Sequence, residues 1–212
     1  MKLYGYWRST AAYRVRIALN LKNIAFESIS VHLVKNGGEQ HSEAYSEINP
    51  SHLVPTLVDG DFSLNQSLAI IDYLDSYNSE QSLFPKDAKA KAKVQALALD
   101  IACEIHPLNN LRVQQYLAND LKATVQAKQA WIEHWMTIGF KAVEQQLQTS
   151  AGNYCFGDKV TVADICLVAQ VYNAHRFNVA MEAFPLINKV VENCNKLPAF
   201  IDALPENQDD AQ

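Results

Sequence analysis

The chain has 212 residues, 49% of them apolar, which is enough to bury one large core or two compact ones. Its formal charge is −5, from 18 Lys and Arg against 23 Asp and Glu, and the basic residues are scattered; that argues against the clustered positive face that grips nucleic acid. Cys103, Cys155, Cys166 and Cys194 show no CxxC or Cys/His spacing, so they are expected as reduced packing residues, with no metal site. No stretch approaches the roughly 20 apolar residues of a membrane span, and Met1 leads directly into a strand pattern with no signal-peptide core. A cytoplasmic protein with no membrane partner is expected.

Taken in chain order, residues 2–7 are short and aromatic-rich, as a strand is, and stop at the polar cluster Arg8-Ser9-Thr10, which suits a turn and a helix start. Val15, Ile17, Ala18 and Leu19 mark a helix over residues 13–21, and residues 26–33 alternate again as a strand. Beyond Gly37-Gly38 a polar stretch runs to Asn49-Pro50. From Val54 to Leu64 two strand-like runs meet at Asp59-Gly60, whose preference for positive φ predicts a β-hairpin. Ser67 precedes an apolar run and is expected as the N-cap of the next helix. After residues 79–86, read as a linker, strand signals nearly vanish and Ala, Leu, Gln and Lys recur at helical spacing. The expected organisation is thus an α/β domain over 1–78 and an all-α domain over 87–212, with helix breaks at Asn119-Asp120 and 149–158 and a polar tail over 205–212 that need not be ordered. Thr161-Val162-Ala163-Asp164 matches a capping box with Asp at the fourth place and is expected to matter for folding.

A β-α-β-β-β-α half with Val54-Pro55 ahead of its hairpin, followed by an all-helical half, resembles the glutathione S-transferase fold: a thioredoxin-like α/β N-terminal domain plus an all-α C-terminal domain. The run from Arg8 to Leu19, RSTAAYRVRIAL, resembles the zeta-class signature of the maleylacetoacetate and maleylpyruvate isomerases. Asn49-Pro50, Val54-Pro55-Thr56-Leu57, Gln66 to Ile71, His106-Pro107-Leu108-Asn109-Asn110 and Gly157-Asp158 through Asp164 extend the likeness over nearly the whole chain. The match departs at Thr10, where a second serine is usual, and at Ala11, where cysteine is usual and where alanine supplies no thiol.

The resemblance implies glutathione as cofactor, bound by Ser9, Thr10, Gln40, Val54, Pro55, Gln66, Ser67, His106 and Asn110. Ser9 would stabilise the glutathione thiolate, Val54 would pair with the cysteinyl unit beside a cis Pro55, and Gln66 and Ser67 at a helix start would receive the γ-glutamyl carboxylate. Gln40 would meet the glycyl end, and His106 and Asn110 would reach the tripeptide from the first long helix of the second domain. The residues themselves agree on Ser9: a hydroxyl at a helix start can donate to a thiolate while the helix dipole favours negative charge, and both lower a thiol pKa. The same serine also fits a plain N-cap, and a lone histidine such as His106 is more often structural.

On the substrate side, guanidinium forks match carboxylates bidentately. Arg8 lies beside Ser9, and Arg112 and Arg176 stand at positions that resemble substrate-binding arginines in bacterial members of the family. The resemblance thus implies these three for binding a small dicarboxylic keto acid, with Arg8 and Arg176 also catalytic through charge stabilisation, and surface ion pairing is the plain alternative for each. The implied reaction is cis–trans isomerisation of maleylacetoacetate or maleylpyruvate in aromatic catabolism, by thiolate addition, bond rotation and elimination. A glutathione transferase or dehalogenase acting on small electrophiles such as α-halo acids would use the same residues. A non-catalytic binding module would not need them. A homodimer is implied by the resemblance alone.

Overall fold

Strand β1 (Lys2–Gly5) pairs in parallel with β2 (Glu27–Ser30) and antiparallel with β3 (Thr56–Asp59), and β3 pairs with β4 (Phe62–Asn65), giving the sheet order β2-β1-β3-β4. A parallel neighbour demands a crossover connection, and helix α1 (Thr10–Leu21) supplies it. In the β3–β4 hairpin Asp59 faces Phe62, so Gly60 and Asp61 form the loop; Gly60 takes φ +64, the conformation that calls for glycine at the first central position. Helix α3 (Ser67–Tyr77) follows and packs against α1. Leu3 and Leu57, facing each other across β1 and β3, are buried with Val15, Ile17, Ile70, Ile71 and Leu74 in the core of this unit.

The computed structural model describes residues 1–77 and 82–212, in two compact units: Met1–Ser82 with Asn195–Gln212, and Leu83–Cys194. Residues 78–81, where the end of the first expected domain and the start of the expected linker fall, lie outside the described residues. The second unit is helical. Its α4 (Ala88–Leu99) continues as a π-helical turn (Asp100–Ile105) and a 3-10 turn (His106–Asn109). Helices α5 (Leu111–Asn119), α6 (Val125–Ser150), α7 (Val162–Arg176) and α8 (Pro185–Cys194) follow. Helix α7 is buried on every side from Val162 to Val171, which explains why its sequence lacks a polar stripe. Glycine at position 139 of α6 permits a close approach, since a Cβ there would lie 2.3 Å from Ile105 Cγ1.

Several sequence expectations need correction. Strand β1 ends at Gly5, because Ser9 N–H donates to Tyr6 O (2.9 Å) and closes a turn; α1 starts at Thr10, ahead of the expected residue 13. Strand β2 stops at Ser30, beyond which His32 Nδ1 accepts Val34 and Lys35 N–H and the Glu39 carboxylate accepts His32 N–H. The polar stretch before Asn49 holds a short helix, α2 (Glu43–Ile48), capped by Ser42 Oγ accepting Tyr45 N–H. Ser67 is the first residue of α3 and not its cap: Gln66, at φ +68, provides the carbonyl that accepts Ile70 N–H. Residues 195–212 group with the first unit and not with the helices expected to extend over 87–212. The cause is a set of anchors: Asn20 Nδ2 donates to Ala199 O in α9 (Pro198–Ile201), Arg16 Nε donates to Ala203 O, and Asp210 accepts Trp7 N–H. Cys155, Cys166 and Cys194 are buried, whereas Cys103 is exposed and does not pack as expected. Burial pushes the Cys155 and Cys194 thiols up, so they stay protonated and unreactive.

Candidate active site

Ser9 is the N-cap of α1, at φ −73 and ψ 116, and its Oγ accepts Ala12 N–H at 3.2 Å. That bond uses an acceptor lone pair and leaves the hydroxyl proton to donate, so capping and donation to an anion are compatible on one side chain. Thr10 is buried in the first turn beside it. Arg8, one residue earlier, is half-buried; its guanidinium lies 5.1 Å from the centre of the Trp7 ring, and Nη2 donates to Tyr6 Oη at 3.4 Å. Cation–π contact with Trp7 therefore restrains the arginine next to the candidate serine.

Val54 and Pro55 stand just ahead of β3, and the peptide between them is cis. Two side chains fix this segment from both sides. Tyr45 Oη donates to Leu53 O (2.6 Å) and is 3.0 Å from Thr56 Oγ1, while Asn49 Nδ2 donates to Leu53 O (2.8 Å) and to Thr56 Oγ1 (3.0 Å). Burial raises the Tyr45 pKa, so its hydroxyl remains a donor. Sequence alone assigns neither residue a role, although Asn49 lies in the Asn49-Pro50 motif; their effect comes through contacts eight and four residues along the chain.

At the start of α3, Ser67 is buried and its Oγ accepts from Arg14 Nη1 at 3.4 Å; Gln66 beside it is exposed. The first N–H groups of a helix have no partners within it and favour a carboxylate. Gln40 is 7% exposed, and its Oε1 has no hydrogen-bond partner among the described residues, an arrangement that suits a site awaiting a donor. His52, at φ +54, directs Nδ1 to Gln40 O at 3.0 Å and so holds the backbone of that residue.

In the second unit, His106 and Asn110 lie on either side of the break between the π-helical turn and α5, not on the body of a long helix as expected. Asn110 caps α5 by accepting Arg112 N–H through Oδ1 (3.2 Å), which leaves its amide NH₂ as the group able to meet a ligand. This break is held by residues to which the sequence assigns no role, although Asn109 lies in the His106 to Asn110 motif. Asn109, buried, donates to Ile105 O (2.7 Å) and accepts from Asn173 of α7 (2.6 Å), and Trp131 Nε1 donates to Leu108 O (2.7 Å). Arg176 ends α7 one turn after Asn173, exposed, with its guanidinium 4.5 Å from the centre of the Phe177 ring. Arg112 is exposed on α5.

Within the first unit, then, the structure places Ser9 and Ser67 on helices linked through Arg14, and Val54-Pro55 on a segment braced from α2. Within the second it joins the His106–Asn110 break to the helix that ends in Arg176. Glutathione fits the first set by the chemistry of its donors and acceptors: a hydroxyl proton at one helix start, N–H groups at another, and in Gln40 a buried amide oxygen without a partner among the described residues. No helix among the described residues is long and apolar enough to cross a membrane.

Residues 3–82 match the family described as glutathione S-transferase, N-terminal domain, and residues 108–204 the one described as glutathione S-transferase, C-terminal domain. The chain is 50% identical over 209 residues to a probable maleylacetoacetate isomerase of Vibrio cholerae, covering 99% of this chain and 97% of that one. It superposes with a TM-score of 0.97, at 42% identity and full coverage of both chains, on the holo structure of a maleylpyruvate isomerase described as a bacterial zeta-class glutathione S-transferase. A maleylacetoacetate isomerase from Methylobacterium extorquens AM1, solved with bound malonate and glutathione, gives a TM-score of 0.95 at 37% identity, with both chains covered completely. With both domains matched and full-length relatives well above a third identical, the chain belongs to the zeta-class glutathione S-transferase family.

Proposed function

We propose that this protein is a cytoplasmic, glutathione-dependent cis–trans isomerase of a small maleyl keto acid, maleylacetoacetate or maleylpyruvate. The observation that carries the reading is the Ser9 hydroxyl, which caps α1 through its oxygen and keeps its proton for an anion. When bound, glutathione supplies the thiolate nucleophile that adds reversibly to the double bond. The residues of the chain hold and orient. Ser9 donates to the sulfur, and the α1 N-terminus adds favourable potential there. Val54 offers its backbone to the cysteinyl unit, Gln66 and Ser67 take the γ-glutamyl carboxylate, and Gln40 meets the glycyl end. His106 and the Asn110 amide NH₂ add donors from the second unit. Arg8, Arg112 and Arg176 grip the carboxylates of the acid, and Arg8 and Arg176 stabilise charge that develops on its oxygens during the reaction.

The test is ultraviolet-monitored conversion of both acids with catalytic amounts of glutathione, while glutathione itself is quantified. Rapid isomerisation with glutathione conserved supports the reading and shows which acid is preferred. Consumption of glutathione without isomerisation shifts the assignment to a conjugating or dehalogenating transferase.

A homodimer belongs to the same proposal. Phe62, Tyr73 and Tyr77 form a row of ring contacts whose ends are 44% and 61% exposed, an apolar face of the kind that subunits cover. Sedimentation of the wild type against Phe62→Ser tests it, with a monomeric wild type as the contrary result.

A further inference from the structure

The backbone of Trp7, two residues before Ser9, is gripped at both of its polar groups by elements tied to the end of the chain. Its N–H donates to Asp210 Oδ2 at 3.2 Å, and its C=O accepts from Arg16 Nη2 at 2.9 Å. Arg16 is itself anchored to the same segment, donating through Nε to Ala203 O at 3.1 Å. Asp210 also accepts Ser30 Oγ at 2.7 Å, which fastens the tail to the end of β2. The turn thus held runs directly into the candidate serine, because Ser9 N–H donates to Tyr6 O (2.9 Å). Trp7 is also the ring on which the Arg8 guanidinium lies.

We propose that the C-terminal segment, acting through Asp210, is a positioning element that sets Ser9 and Arg8 in register for the glutathione sulfur and its substrate. The inference rests on the reading of Ser9 given above. Its physical basis is the steep dependence of a hydrogen bond on alignment: a turn released by a fraction of an ångström still caps α1 but no longer aims its hydroxyl. Asp210 touches neither cofactor nor substrate in this account and acts entirely through Trp7.

The experiment compares the wild type, Asp210→Ala, Asp210→Asn, and Asp209→Asn as a charge control on the exposed neighbouring residue. Amide hydrogen exchange is followed at Trp7 and Ser9 in the protein alone, and thiolate absorbance is titrated against pH with glutathione present. Asp210→Ala should speed exchange at both amides roughly tenfold, raise the apparent thiol pKa of bound glutathione, and lower kcat about three- to tenfold with the KM of the acid changed less than about twofold. Asp210→Asn keeps an acceptor oxygen and should recover most of each effect, while Asp209→Asn should match the wild type. Unchanged exchange at Ser9, or an unchanged thiol titration in Asp210→Ala, overturns the proposal. The exchange comparison needs no glutathione, so it decides the role of the tail even if the wild type turns over neither acid, a result that would count against the isomerase reading instead.

Discussion

Replacing Asp164 should unfold the second unit far more readily than any change at the active site. The Asp164 carboxylate is fully buried and accepts hydrogen bonds from Cys155 N–H at 2.7 Å, Thr161 N–H at 2.8 Å and Thr161 Oγ1 at 2.9 Å, with the Cys155 thiol beside it as a further donor. In Asp164→Ala the threonine hydroxyl can rotate to another acceptor, but the two backbone donors cannot. Each stranded N–H costs about 1–3 kcal/mol, and relief of the buried charge returns part of it, so a net loss of about 3 kcal/mol is expected. Asp164→Asn retains one acceptor oxygen and should lose about half as much. Urea unfolding of the full-length chain, followed by far-ultraviolet circular dichroism, measures both variants. A loss below about 1 kcal/mol for Asp164→Ala would refute the claim that this box carries the start of α7.

The same carboxyl gives a pH test. Burial raises its pKa above the ordinary 3.8 despite the donors around it. With the folded value above the unfolded one, the folded state holds the proton longer, so this group's contribution to stability falls as pH rises from about 4 through the raised value. The stability of the wild type relative to Asp164→Asn should decline over that interval, and a rising difference contradicts the assignment.

Ser9→Ala should lower kcat about 100-fold or more while leaving glutathione affinity within a few-fold; equal losses in both would reduce Ser9 to a cap. Arg176→Ala should raise the KM of the dicarboxylic acid about tenfold, and unchanged kinetics would remove this arginine from the site. Gly139→Ala forces a methyl group into Ile105, at the turn leading to His106, and should cost about 1–3 kcal/mol in thermal or urea unfolding; a neutral result would mean that α6 and the π-helical turn separate easily. Gln170 is fully buried in α7, and neither of its amide atoms has a partner among the described residues. Gln170→Met, close in volume, should therefore stabilise the chain by about 1 kcal/mol, whereas destabilisation would show that the amide is satisfied in solution.

Much of this protein is legible from local chemistry. The hairpin turn at Gly60, the apolar spacing of α1 and the Thr161 to Asp164 box each encode their geometry within a few residues, and the run from Arg8 to Leu19 is specific enough to indicate the family. What sequence could not supply were the long-range partners. Nothing near Asp210 predicts that it accepts Trp7 N–H across 203 residues, and nothing near Asn173 predicts that it holds Asn109 across 64. The polar tail over 205–212, which need not be ordered on its composition, is fastened because Trp7 N–H at the turn after β1 and the Ser30 hydroxyl meet the Asp210 carboxylate. Arg16 and Asn20 of α1 hold the carbonyls of Ala203 and Ala199 just ahead of it. Ser67 shows the same limit at short range: its type suits a cap, but Gln66 at positive φ starts the helix, leaving the serine to face Arg14. The sequence by itself determined which residues can cap, turn, donate and carry charge, since those are properties of side chains and their neighbours. Tertiary structure alone decided which of them brace the site, because a buried hydrogen bond depends on where two distant segments meet in space.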